Sequence, residues 1–197
     1  MRLTAWILLL TFVATQPAGT RRQRFVSPNG VFQFSYTSDF LLNTDENKDE
    51  VQTSYIPVCG EGTVCVVSRR GYFAGTNFQA AGFQEREISN ATNSDACLMG
   101  PPEDIPQYRL PKSDQKRVIS GLTFRHWQSA EVGVGNNLST DYYRVFHENK
   151  CYELSLNIAA SSFGNFDPGA ITEFTRDDEA KVVRDLEVSL NSFRFLK

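Results

Sequence analysis

Two imidazoles, His126 and His147, and four thiols, Cys59, Cys65, Cys97 and Cys151, are the side chains best suited to covalent or acid–base chemistry. Nucleophilic catalysis needs a nucleophile beside a base that a third group orients. Any Ser-His-Asp or Cys-His arrangement must therefore recruit His126 or His147. Both fall in stretches that read as strands, and the sequence holds no Gly-x-Ser-x-Gly elbow. Both are expected to be packing or surface residues, so no catalytic residue is assigned. A small secreted hydrolase using His126 or His147 is the alternative, and it requires a carboxylate and a serine beside the imidazole in one cleft.

The four cysteines are an even number in a chain that reads as exported, which points to two structural disulfides. Three connectivities are open. Gly60-Glu61-Gly62 between apolar flanks makes a hairpin that would join Cys59 to Cys65, and Cys97 would then pair with Cys151. A zinc site would need CxxC spacing and histidines at ligand-like offsets, which the chain lacks, so no metal is expected. Asp45, Asn47 and Asp49 imitate the start of a calcium loop, but Glu50 stands where Gly belongs and Ile56 where a bidentate Glu belongs. Gly133-Val134-Gly135-Asn136-Asn137 lacks the Lys-Ser/Thr of a phosphate loop and reads as a long inter-strand loop. No cofactor is expected. Asn90-Ala91-Thr92 and Asn137-Leu138-Ser139 are glycosylation sequons if the source is eukaryotic.

One cluster has the composition of a binding surface. Arg125, Trp127, Tyr142, Arg144 and His147 are the candidates, with His126 and Tyr143 interleaved. Trp, Tyr and Arg dominate binding hot spots, and two neighbouring strands would bring half the group onto one face. A binding module predicts that this face is exposed and that no ionisable cluster is buried. The plainer alternative has Tyr and Trp filling the core edge, with Arg lying over them.

These residues need a scaffold, and the composition describes one. Hydrophobic residues make up 41% of the 197, and fifteen Phe and seven Tyr against two Met favour strands. The formal charge of −3 becomes one unit more negative without Arg2, and no dense basic stripe marks a nucleic-acid surface. Arg21, Arg22 and Arg24 read as a solvated arm. Residues 1–18 have the layout of a secretory signal peptide: Arg2, an apolar run from Ala5 to Ala14, and small residues at Ala18 and Gly19. That run is too short to cross a bilayer, which needs about twenty apolar residues. The expectation is one extracytoplasmic domain over residues 19–197, secreted or periplasmic, with no membrane span in the mature chain. Its partner would be an extracytoplasmic protein or a small ligand, and not nucleic acid.

Alternation at period two marks strands over residues 25–36, 51–58, 64–69, 79–88, 116–130, 141–147 and 151–159. Asp39 would start a short helical turn, and Asn93 would cap a short helix carrying Cys97. Four prolines between Gly100 and Pro111 mark a loop. Glu148-Asn149-Lys150 is hairpin chemistry, and Asp167-Pro168-Gly169 a turn. Thr175 with Asp178 resembles a capping box, before Val182, Val183, Leu186 and Leu190 at helical spacing. Phe193 and Phe195 alternate in a last short strand. The fold class is α+β: a mainly antiparallel sheet with a C-terminal amphipathic helix and one or two short helices, α-β-α sandwich-like.

The opening Gly30-Val31-Phe32-Gln33-Phe34-Ser35-Tyr36 and the closing Ser189-Leu190-Asn191-Ser192-Phe193-Arg194-Phe195 resemble the PsbP-like family of small extracytoplasmic α/β sandwiches. The resemblance covers the two chain ends and the order of elements, and includes no catalytic motif. It implies an antiparallel sheet with helices on its faces and a protein that binds or scaffolds. The cysteine-bearing middle, Cys59 to Cys97, departs from the family pattern.

Overall fold

A computed structural model describes residues 21–99 and 115–196. The expected signal segment and the proline-rich loop lie outside the described residues. Ten strands form two antiparallel sheets. The smaller holds β1 (Arg22–Val26), β2 (Phe32–Thr37) and β10 (Arg194–Phe195) in the order β1-β2-β10. The larger holds β3 (Phe40–Leu42), β4 (Val64–Ser68), β5 (Phe78–Glu87), β6 (Gln115–Ile119), β7 (Leu122–Gly133), β8 (Asn136–His147) and β9 (Lys150–Ser161). Their spatial order is β3-β4-β5-β9-β8-β7-β6, with β9 and β8 at the centre. Helix α1 (Ser94–Leu98) and helix α2 (Arg176–Ser192) complete the α+β architecture.

The core lies on one face of the larger sheet. Phe83, Phe124, Tyr143, Leu154 and Leu156 face Phe32, Phe34 and Tyr36 of β2 and Val182, Leu186 and Leu190 of α2. The expected apolar row of β2 is therefore the wall between the two sheets. The start of α2 is fixed as its sequence indicates: Thr175 Oγ1 accepts from the Asp178 amide, and the Asp178 carboxylate accepts from the Thr175 amide. Its C-terminal end is tied to β2 through Ser192 Oγ, which accepts from the Ser35 amide at 2.8 Å.

The opposite face is covered in two places. Val51, Ile56 and Val58 pack over Leu41, Val67, Ala80 and Ala159, and Asn157 Nδ2 donates to the Val58 carbonyl at 2.8 Å. Helix α1, capped by Asn93, is held against β8 and β9 by the Cys97–Cys151 disulfide.

Several expected elements differ, each for a local reason. The single strand over 25–36 is two strands, because Gly30 (φ +69°) completes a turn in which its amide donates to the Ser27 carbonyl. Ser38 and Asp39 form the corner from one sheet to the other, and β3 stands where a helical turn was expected. Residues 51–58 form no strand; the segment makes one bridge, Val51 to Arg69, and serves as cover. The strand over 116–130 is broken into β6 and β7 by Ser120 (φ +49°) and Gly121 (φ +84°). The expected long loop at 133–137 is a tight hairpin: Gly133 pairs with Asn136, with Val134 and Gly135 at its tip.

Candidate functional site

Strand register assembles four of the five binding candidates. Arg125 lies opposite Arg144 and Trp127 opposite Tyr142 across β7 and β8. The ladders continue to Glu153 and Ser155 on β9, then to Arg86 and Gln84 on β5. Because laddered partners share a face, two adjacent rows cross four strands. One is Arg125, Arg144, Glu153 and Arg86; the other is Trp127, Tyr142, Ser155 and Gln84.

Like charges directly opposite each other destabilise a sheet, so the first row needs compensation. Glu153 supplies it by accepting from Arg144 Nε at 2.6 Å and from Arg86 Nε at 2.7 Å. The Trp127 ring supplies more, with the Arg144 guanidinium 5.2 Å and the Arg125 guanidinium 6.0 Å from its centroid. Tyr142 stacks on the same indole at 6.0 Å. The group is not the exposed face that a binding surface would need, and it stands nearer the plainer alternative in which the aromatic side chains are packed with Arg over them. Trp127, Arg144 and Glu153 are 4%, 5% and 1% exposed, so an ionisable cluster is buried here. Glu153 anchors the group, because a buried mid-strand carboxylate must be met by guanidinium groups.

His147 is not part of this group. It lies on the core face of β8, stacks on Phe195 at 4.1 Å, and lines an apolar cleft of about 310 Å³ with Ile119, Leu122, Phe124 and Phe193. His126 also faces that side. Its Nε2 is 2.6 Å from Asp141 Oδ1, which also accepts from Gln128 Nε2, and its ring stacks on Tyr143 at 4.4 Å. Burial and then Asp141 raise the Tyr143 phenol above its ordinary value. This pair is a base with an orienting carboxylate, two parts of a triad.

The cysteines pair as Cys59–Cys65 and Cys97–Cys151, with Cα separations of 6.0 and 5.4 Å. Among the described residues no group of three or more His, Cys, Asp or Glu is placed to hold a metal ion, and no helix is long and apolar enough to cross a membrane.

A second cleft was not foreseen. On β5 the core-facing row runs Ala81, Phe83, Glu85, Glu87, ending in two carboxylates where apolar residues would continue. Glu85 is 5% exposed and makes no hydrogen bond or ion pair among the described residues. Burial, and then the neighbouring Glu87, push its carboxyl up to about 7. Glu87 stands nearer solvent and accepts from Lys150 Nζ at 2.7 Å. Both line a cleft of about 330 Å³, open to solvent, where the β1–β2 turn and the Cys59–Cys65 loop, which is not the expected hairpin because no strand precedes it, meet the end of β5. Tyr152, Phe32 and Val64 form its apolar walls, and Ser27 and Asn29 its rim. The signal was in the sequence: Glu85 and Glu87 share strand parity with Phe83.

No family model and no curated protein matches the chain. Solved structures similar to it include a protein from Bacteroides thetaiotaomicron, at 13% identity and TM-score 0.47, over 88% of this chain and 48% of that one. The chain thus spans about half the length of that protein. It is also similar to LpqN of Mycobacterium tuberculosis, described as involved in cell envelope biogenesis, at 9% identity and TM-score 0.41 over 91% and 92% of the two chains. A third is the cyanobacterial PsbP (CyanoP) of Synechocystis, at 12% identity and TM-score 0.42 over 95% and 99%. No residue role is carried over from any of the three.

Proposed function

We propose that the chain is a non-catalytic binding or accessory module that works outside the cytosol as one disulfide-bonded domain. The Arg125, Trp127, Tyr142 and Arg144 face is not the exposed surface, free of buried ion pairs, that binding there requires, so the binding reading is carried instead by the cleft at the end of β5, where Glu85 is buried and makes no hydrogen bond or ion pair among the described residues. The Glu85 oxygens open into the cleft and are not sealed from solvent, so a ligand group that meets them replaces water at a carboxyl that burial has already largely desolvated. Compartment is supported separately, because two disulfides, which pair all four cysteines, are typical of an oxidising environment. The test is a mass spectrum of the protein from its native host under native and denaturing conditions. The reading expects a processed chain with two disulfides and added native mass from a ligand or partner. Free thiols, or a bare monomer with hydrolytic turnover, would overturn it.

One observation favours the small hydrolase, namely the His126–Asp141 pair. Its missing part is a nucleophile, since no serine bonds His126 among the described residues and all four thiols are in disulfides. Loss of an esterase or amidase activity in His126→Ala, with His147→Ala unchanged, would establish that alternative.

A further inference from the structure

We infer that the cleft at the end of β5 is a binding site for a small amphipathic organic cation, an alkylammonium group held by Glu85 and Glu87. The inference deepens the binding-module reading and rests on it. Three observations carry it. Glu85 is buried, lines the cleft, and lacks any partner among the described residues. The walls beside it are Tyr152, Phe32 and Val64, which suit an alkyl chain, and an aromatic face also attracts a cation. The rim already shows the chemistry, because the Lys150 ammonium sits on Glu87 at 2.7 Å.

The charged and titratable groups around Glu85 are few. Glu87 follows it on β5, while Tyr152 and Lys150 come from β9. Arg86 also lines the cleft, with its guanidinium engaged by Glu153 through Nε at 2.7 Å. The β1–β2 turn contributes neutral Ser27 and Asn29. An anionic ligand would face two carboxylates, and a neutral apolar one would leave Glu85 unmet. A divalent cation would find two carboxylates, fewer than the three acidic or imidazole groups that such a site usually assembles. An ammonium group needs only the pair.

The experiment is an NMR titration of the disulfide-bonded protein with n-hexylamine at pH 8, where the amine is protonated because its pKa lies above about 10. n-Hexanol serves as a neutral control of the same shape. Hexylammonium should bind at least about tenfold more tightly than hexanol and shift the Tyr152 ring signals. Glu85→Gln should weaken the amine at least about tenfold and leave hexanol unchanged. Glu87→Gln, at the solvent edge, reports the same effect should the buried variant fold poorly. Lys150→Ala should tighten amine binding, since it removes the internal competitor. Lowering the pH from 8 to 6 neutralises Glu85 and should weaken the amine by about tenfold. Equal binding of hexanol and hexylamine, no binding of either at millimolar concentration, or displacement by calcium chloride at micromolar concentration would each overturn the inference. If the native protein carries a different ligand while hexylamine fails, the binding-module reading survives and the cation site does not.

Discussion

Glu85 places a carboxyl where the β5 row would otherwise be apolar, and the fold holds it neutral up to about pH 7. Its folded value lies above the ordinary carboxylate value, so the folded chain binds the proton more tightly than the unfolded one. The sign follows from linkage: this contribution is full below about pH 4.5 and is lost as pH rises through about 7. The span corresponds to about 3 kcal/mol. Urea unfolding from pH 5 to pH 8 should show that decline in wild type, and Glu85→Gln should flatten it. Across the sheet, Glu153 is the reverse case, a buried carboxylate with two guanidinium partners. Glu153→Gln strands Arg144 in a buried site and should cost about 3–5 kcal/mol. A urea midpoint within error of wild type would remove Glu153 as the anchor of that face. At this scale parity alone was informative. Tyr142 and Arg144 share one parity on β8 and His147 has the other, so the separation of His147 was legible. The burial of Trp127 was not, because parity gives the face on which a side chain lies and not what packs over it.

Strand existence was legible from alternation, and strand ends were less so, because the turn at Ser120-Gly121 sits inside a continuous pattern and the one at Val134-Gly135 in a stretch that reads as a long loop. Ser120-Gly121, Val134-Gly135 and Glu148-Asn149 each place two residues at positive φ, the geometry that two-residue hairpins prefer. Glu148-Asn149 was recognisable by its residues. Val134 was not, since a β-branched side chain at φ +47° contradicts its own preference. Gly135 lets the chain close, and Asn165 Nδ2 donates to its carbonyl at 2.9 Å. Val134 is fully exposed, so its side chain gains nothing from burial that would offset the strain. Val134→Asn should therefore stabilise the protein by about 1 kcal/mol, read as a rise of about 2–4 °C in Tm. A fall in Tm would show that Val134 makes a stabilising contact at the hairpin tip. Segment 51–58 misled for a different reason. Its apolar residues alternate because one side lies on the sheet as cover, and period two records a buried side whether or not a ladder forms.

At the scale of the molecule the two disulfides divide stability from function. Cys97–Cys151 closes a separation of 54 residues and fastens α1 to the centre of the larger sheet. Cys59–Cys65 closes a separation of six, in the loop that forms one wall of the carboxylate cleft. Chain entropy alone assigns about 4 kcal/mol to the first and about 2 kcal/mol to the second. Replacing Cys97 and Cys151 by Ser should therefore lower the urea midpoint most and change the affinity of the remaining folded protein for hexylammonium little. Replacing Cys59 and Cys65 by Ser should lower the midpoint less, but loosen the wall that carries Val64 and weaken the amine. The measurement is a pair of readouts, unfolding and hexylammonium titration, on both double variants. The opposite pattern, with affinity following Cys97–Cys151, would move the ligand site toward α1 and the buried Arg144–Glu153 face. Full reduction should then destabilise the chain by more than either pair alone.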